Sequence, residues 1–451
     1  MDEQQRKKMW GMVETFDRLS PYTDRMIDRG IEENRKGLFS LRVTDKDGNA
    51  KKGLHVTVRQ KSHEFNFGCG TFLLDQFGDH RNGIYRDIFK EIFNYGVLPL
   101  YWNTLEPERG KPRFASDSAP IYRRPPLDTV RDYCRENGIR MKGHCLMYNS
   151  FNPDWMPRDR REIRMAIRER SRAIAERYAD DFVDLDVINE MFTVYKNAYG
   201  EYGARNLPIT DDKDHAAWCF SVAKADFPES RLFWNEGCFE TFGRGGGQYC
   251  GDKSVYYLML KRHLYEGVPI EGIGMQYHAF STENPEIYNP LRAMDIFETY
   301  GEFNLPIHIS EVSIPSYSNE EEDEQIQAEL VRRMYRLWFS RRPITSIVWW
   351  NLADGMAFGG ENHFHGGLLR NDMSKKPAFL ELERLIGREW HTECACTTND
   401  AGEIVFDGYY GDYEITVTDG EKTVTEIHPF KKDNTGYYHL TFGLMQEKMT
   451  F

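Results

Sequence analysis

The sequence predicts a parallel (β/α)₈ barrel, and three observations carry that prediction. Eight short apolar runs recur along the chain, helical patterns fill most of the gaps between them, and no glycine-rich phosphate loop follows the first run. The runs lie near 65–70, 96–101, 139–146, 185–188, 232–234, 273–275, 307–309 and 344–350. The helical patterns cover 86–93, 127–137, 159–177, 253–266, 291–300 and 321–339. The rival arrangement, an open doubly wound sheet, requires a Gly-rich loop after its first strand. Gly245-Gly246-Gly247 reads as a flexible loop tip, not as that fingerprint.

The flanks differ from the middle. Residues 1–36 read as a charged helix with Trp10, Met12, Phe16 and Met26 available for docking. Residues 38–64 alternate apolar and polar positions on either side of Asp45-Lys46-Asp47-Gly48-Asn49, which is a β-hairpin signal. After residue 395, alternating strands are expected at 403–406, 413–417 and 437–442, with turns at Asp407-Gly408 and Asp419-Gly420. The predicted organisation is an N-terminal helix and β-hairpin extension over 1–64, a barrel over 65–390, and a small C-terminal β domain over 391–451.

Composition narrows the partners. The net charge is −13, from 58 basic and 71 acidic residues, so the chain repels polyphosphates and nucleic acid is not expected to bind. Aromatic residues make up 14%, a surplus that suits stacking against sugar rings as well as filling a core. The eight cysteines follow no regular framework and read as reduced core residues. Met1-Asp2-Glu3-Gln4-Gln5-Arg6-Lys7-Lys8 is followed by no apolar segment, which predicts a cytoplasmic protein without membrane association. His363-Phe364-His365 has metal-like spacing but no evident third ligand, and no metal or other cofactor is expected. The sequence leaves the oligomeric state open.

A barrel of this kind presents its chemistry at the C-terminal ends of its strands. In order, those ends carry His144, Asn189-Glu190, Asn235-Glu236, Gln276 and His278, Glu311, and Trp350 with Asp354. Each residue alone is a weak signal; their coincidence at apolar strand ends is a strong one. Glu190 closes Asp186-Val187-Ile188-Asn189-Glu190, and Glu311 closes Ile307-His308-Ile309-Ser310-Glu311. Two carboxylates on strand ends of one barrel can face a single sugar ring, the minimal equipment for cutting a glycosidic bond.

These segments resemble family 10 glycoside hydrolases, whose best-known members are endo-β-1,4-xylanases. The two glutamate motifs resemble the family's acid/base and nucleophile motifs, and Gly274-Met275-Gln276-Tyr277-His278 its strand-six motif. Lys142-Gly143-His144-Cys145-Leu146 with Asn152-Pro153-Asp154-Trp155 matches the strand-three region, and Trp102 with Leu105-Glu106-Pro107-Glu108-Arg109-Gly110 the strand-two exit. Leu368-Leu369 and Lys376-Pro377-Ala378-Phe379 match the closing segment, so the resemblance covers about residues 65 to 385. It implies a retaining mechanism with Glu190 as general acid, then base, and Glu311 as nucleophile. A retaining pair stands about 5–5.5 Å apart. His278 would hold Glu311, Asn189 and Gln276 would contact the sugar beside the nucleophile, His144 would reach its outer hydroxyls, and Trp350 would wall the −1 subsite.

The chain departs from the family pattern on the glycone side. Where the family carries Glu, Asn and Lys at the end of strand two, this chain has Val97, Leu98 and Tyr101. The Trp-His-x-Gln stretch after strand three becomes Tyr148-Asn149-Ser150-Phe151, and Asp354-Gly355-Met356-Ala357-Phe358 replaces the second tryptophan of the strand-eight loop. Tyr101, Tyr148 and Phe151 offer an aromatic surface in place of polar contacts. The expectation is a retaining β-glycosidase for a short β-linked oligosaccharide or glycoconjugate. The alternatives are an endo-β-1,4-xylanase acting on xylo-oligosaccharides and a non-catalytic carbohydrate-binding barrel.

Overall fold

The structure, a computed structural model, describes residues 1–191, 207–242, 249–420, 422–434 and 437–442. Gly245-Gly246-Gly247 lies outside the described residues. Two strands, β1 (Lys36–Thr44) and β2 (His55–His63), precede the barrel. The barrel strands are β3 (Asn66–Gly70), β4 (Tyr95–Pro99), β5 (Arg140–Tyr148), β6 (Phe182–Asn189), β7 (Arg231–Glu236), β8 (Gly272–His278), β9 (Ile307–Ser313) and β10 (Ile344–Trp349). They close in chain order, with β10 pairing in parallel to β3. The apolar runs form strands buried on both faces, because helices cover the outside and side chains fill the inside.

The inside is a polar and aromatic plug. The Tyr95 hydroxyl donates to Asp184 at 2.6 Å, and Arg231 pairs with the same carboxylate at 2.7 Å. The His308 ring stacks on Phe233 at 4.0 Å between centroids. Burial, with Lys142 and Arg231 nearby, pushes the His308 pKa well below the ordinary imidazole value, so it is neutral.

The N-terminal helix, Glu3–Arg35, starts on a capping box in which Asp2 accepts from the Gln5 amide at 2.7 Å. It buries Met9, Met12, Val13, Phe16, Ile27 and Ile31. Arg6 pairs with Glu320 and Asp323, both at 2.6 Å, around the start of the helix Glu321–Ser340. Of the four expected docking residues, Met12 and Phe16 are buried and Trp10 is half-buried, but Met26 is exposed. At the end of the helix, the buried Arg35 donates to the carbonyls of Phe339, Arg341 and Ile344.

The expected β-hairpin over 38–64 does not form. The C-terminal strands are β11 (Glu393–Thr397), β12 (Glu403–Tyr409), β13 (Gly411–Asp419), β14 (Lys422–Phe430) and β15 (Tyr437–Thr441). β1 lies between β12 and β15, whereas β2 lies between β11 and β13 in a second sheet. The turn at Asp45 is made, with the Asn49 amide donating to the Asp45 side chain at 2.9 Å, but it supports only a Thr44–Ala50 bridge. The chain then crosses to the other sheet, because the alternating apolar residues of β1 and β2 face each other across a shared core. That core contains Phe39, Leu41, Val56, Val58, Phe406, Ile415 and Phe430, with the Phe39 and Phe430 rings 4.6 Å apart. Asp407-Gly408 is not a turn either. It lies inside β12, paired to Leu38 and Gly37, and an added Cβ on Gly408 would meet the Tyr413 hydroxyl at 2.7 Å. Asp419-Gly420 does turn the chain, at the end of β13.

A chain ending at residue 390 should therefore lose more than its C-terminal segment. β1 and β2 would lose all their partner strands and expose apolar residues such as Phe39, Leu41, Val56 and Val58. We expect aggregation by light scattering and a lower melting temperature than the full chain. A monomeric product with an unchanged melt would show that the strands of the two ends are independent.

Candidate active site

Glu190 follows the last residue of β6 and has a left-handed backbone, with φ of +50°. This conformation is costly for a side chain other than glycine and turns the residue sharply at the strand end. Two neutral groups hold its carboxylate. The Tyr148 hydroxyl donates to Oε2 at 2.8 Å, and the Gln276 amide donates to Oε1 at 2.9 Å. Burial and the repulsion of Glu311 both favour the protonated form and outweigh those two hydrogen bonds, so its pKa lies above the ordinary carboxylate value.

Glu311, in β9, is held differently. The Asn235 amide donates to its Oε1 at 2.8 Å, and His278 Nε2 meets its Oε2 at 3.0 Å. Burial opposes a charge on His278, but the hydrogen bond and attraction to Glu311 prevail, and its pKa lies above the usual imidazole value. His278 Nδ1 is 3.0 Å from the Ser313 hydroxyl, which orients the ring.

Asn235 is the residue that sequence reasoning left without a role. Its amide also donates to Asn189 Oδ1 at 2.7 Å, and its own carbonyl oxygen accepts from the Ser310 hydroxyl at 2.5 Å. One side chain at the end of β7 thus links the ends of β6 and β9. Its position directly before Glu236 at a strand end was the only available signal.

The other expected residues fall around this pair. His144 Nδ1 meets Asp186 at 2.9 Å, Lys142 neutralises the same carboxylate at 2.7 Å, and His144 Nε2 stands 3.9 Å from Glu311. Gln276, expected to contact the sugar beside the nucleophile, donates to Glu190. Tyr148, expected to offer only aromatic surface, bonds Glu190 directly. Trp350 presents itself edge-on to Phe72, His144 and His278, with centroids 4.6, 5.3 and 6.0 Å away. Tyr101 is buried at the base of the aromatic wall. Glu236 accepts from the Met191 amide at 2.7 Å and the Trp234 indole at 3.0 Å, so it anchors the turn after Glu190. Asp354 binds the buried Lys376 at 2.6 Å and ties the closing segment to the strand-eight loop.

Two carboxylates, one with its pKa raised and one hydrogen-bonded to an imidazole whose pKa is also raised, can act as a proton donor and a nucleophile.

Residues 86–384 match the model of glycosyl hydrolase family 10. The anti-sigma-I factor RsgI6 of Acetivibrio thermocellus is 24% identical over 397 residues, covering 86% of this chain and 46% of that protein. An endo-1,4-beta-xylanase/feruloyl esterase of Xylanibacter ruminicola is 25% identical over 62% of this chain and 43% of its own. The chain thus spans less than half the length of these two relatives. Among solved structures, xylanase 10B from Thermotoga petrophila, in complex with xylobiose, shares the fold with a TM-score of 0.58. It is 18% identical, and the match covers 72% of this chain and 95% of that one.

The contacts of Glu190 set two opposite expectations, each readable by carboxyl NMR titration. Tyr148→Phe removes a hydrogen bond that favours the ionised form, so the Glu190 pKa should rise further. Glu311→Gln removes the repelling charge, so the pKa should fall. Shifts in the reverse directions would overturn the electrostatic account.

Proposed function

The chain belongs to glycosyl hydrolase family 10, and we propose that it is a retaining β-glycosidase acting on a short β-linked oligosaccharide or a glycoconjugate. The observation that carries this reading is the pair of half-buried Glu190 and buried Glu311 at the ends of β6 and β9, with unlike surroundings. Glu190 enters the reaction protonated and gives its proton to the leaving oxygen while Glu311 attacks the anomeric carbon. Forming the glycosyl ester neutralises Glu311 and removes the repulsion that kept Glu190 protonated. Glu190 then ionises and takes a proton from the attacking water. His278 and Asn235 keep Glu311 aimed through both steps. The two carboxylates supply the chemistry without a cofactor.

The glycone side supports a substrate other than polymeric xylan. Val97 and Leu98 are buried in apolar clusters and offer a sugar hydroxyl no partner. Each hydrogen bond lost at those positions is worth about 0.5–1.5 kcal/mol, more if charged. A second reading, a carbohydrate-sensing barrel, is favoured by the similarity to an anti-sigma factor. A chromogenic aryl β-glycoside separates the two, since a sensor without chemistry gives no turnover.

Glu311→Ala should abolish turnover, because the covalent intermediate forms on its carboxylate. Glu190→Ala should most impair substrates with poor leaving groups, and azide should rescue it as the β-glycosyl azide. An α-azide would mean inversion and would sink the assignment of roles. On arabinoxylan we expect weak or absent release of reducing ends; xylobiose and xylotriose produced at the rate of an ordinary xylanase would refute the substrate reading.

A further inference from the structure

Beside Trp350, the aromatic wall is capped by two arginines from the loop that enters the helix Leu127–Glu136. The wall runs from Phe72 through Tyr101 to Phe151 and Phe358, with Tyr101 and Phe151 centroids 5.0 Å apart and Phe151 and Phe358 5.6 Å apart. The Arg124 guanidinium carbon sits 4.0 Å from the Tyr101 ring centroid and 5.9 Å from those of both Phe72 and Phe151. Arg123 lies 5.4 Å from Phe72 and donates to the Met356 carbonyl in the strand-eight loop. This is the face where the chain carries Val97, Leu98 and Tyr101.

Arg124 makes little use of its donors. Only 8% exposed, it donates from Nη1 to the Arg123 carbonyl at 2.8 Å, and its Nε has no partner. Two other buried arginines are tied to more acceptors, although Arg170 Nε is also without a partner. Arg113 donates to the carbonyls of Ala119, Thr104 and Arg124, and Arg170 to those of Leu146, Leu100 and Cys145. Among the described residues, neither Arg123 nor Arg124 reaches a carboxylate within ion-pair distance. Glu361 acts on Arg123 only at longer range, and it accepts from Asn351 at 3.0 Å. Burial pulls the Arg124 pKa down to about 10, which still leaves a cation at neutral pH. Arg123 has a left-handed backbone, with φ of +62°, a strained conformation that persists only where surrounding contacts hold it. The loop therefore holds, against strain and desolvation, a cation with no counter-charge next to the candidate sugar site.

We propose that Arg124, steadied by Arg123, forms an anion-recognising subsite on the glycone side that takes the carboxylate of a uronic acid unit. The inference rests on the glycosidase reading and names its substrate class. Charge recognition stands where neutral hydrogen bonding has been lost, and a guanidinium suits a planar carboxylate better than any neutral sugar hydroxyl.

The test uses two 4-nitrophenyl β-disaccharides that differ only in their terminal unit, glucuronic acid or glucose, with binding of the corresponding free disaccharides measured by calorimetry. The full chain should favour the acidic sugar roughly ten-fold or more in both Kd and kcat/KM, a preference of the kind charge-assisted hydrogen bonds give. Arg124→Met should bring the acid-to-neutral ratio close to one, and Arg124→Lys, which keeps the charge but not the planar fork, should retain part of it. On the unmodified chain, raising salt from about 50 to 500 mM should shrink the ratio, a readout that does not depend on a variant folding. A ratio near one in the unmodified chain, or one that survives Arg124→Met, overturns the proposal. Binding that prefers the acid with no turnover of either aryl glycoside would leave the subsite standing and overturn the glycosidase reading instead.

Discussion

The site is organised by the repulsion between the two carboxylates, Glu190 and Glu311, that the barrel brings together at its strand ends. Each acidic group near it has found a different answer to its charge. Asp186 is neutralised by Lys142 and Asp184 by Arg231, and Glu311 leans on His278. Glu190 receives hydrogen bonds from a phenol and an amide, neither of which carries charge. With its neighbours compensated and itself not, Glu190 is the carboxyl group whose pKa is pushed up. The polar plug under the site, with its neutral His308, is part of the same distribution: it keeps cations beneath the carboxylates without adding a proton donor that competes with Glu190.

The same economy of charge reappears on the glycone side with the opposite sign. The wall of Phe72, Tyr101, Phe151 and Phe358 strips water from Arg123 and Arg124, and cation–π contacts compensate only part of that loss. One rim of the cleft is thus anionic and proton-bearing and the other cationic, with Trp350 between them. Such a polarity orients a ligand before any single hydrogen bond is made.

Much of this was legible in the sequence because barrel strands buried on both faces leave continuous apolar runs. Each run ends where polar residues begin, so Glu190 and Glu311 could be located from the pattern of their own strands. Pairing was not legible. The turn at Asp45 has the residues of a hairpin and does form, yet whether β1 pairs with β2 or with strands far along the chain depends on which apolar faces meet. Alternation along one strand does not contain that information. Asn235 escaped for a related reason: its importance lies in reaching from β7 to the ends of β6 and, past β8, of β9, and a bridge belongs to no single motif. Arg123 and Arg124 sat in a loop with no periodicity, where only the three-dimensional wall of rings gives them meaning.

The sandwich that joins both ends of the chain has a consequence for the order in which the protein can be made. Lys36 is paired with Tyr409, so β1 is synthesised well before the strand it pairs with. At ordinary elongation rates that wait is roughly half a minute. Throughout it, β1 and β2 emerge with alternating apolar faces and open edges, while the barrel between them can already close. The nascent chain must therefore shelter β1 and β2 until the strands they pair with arrive.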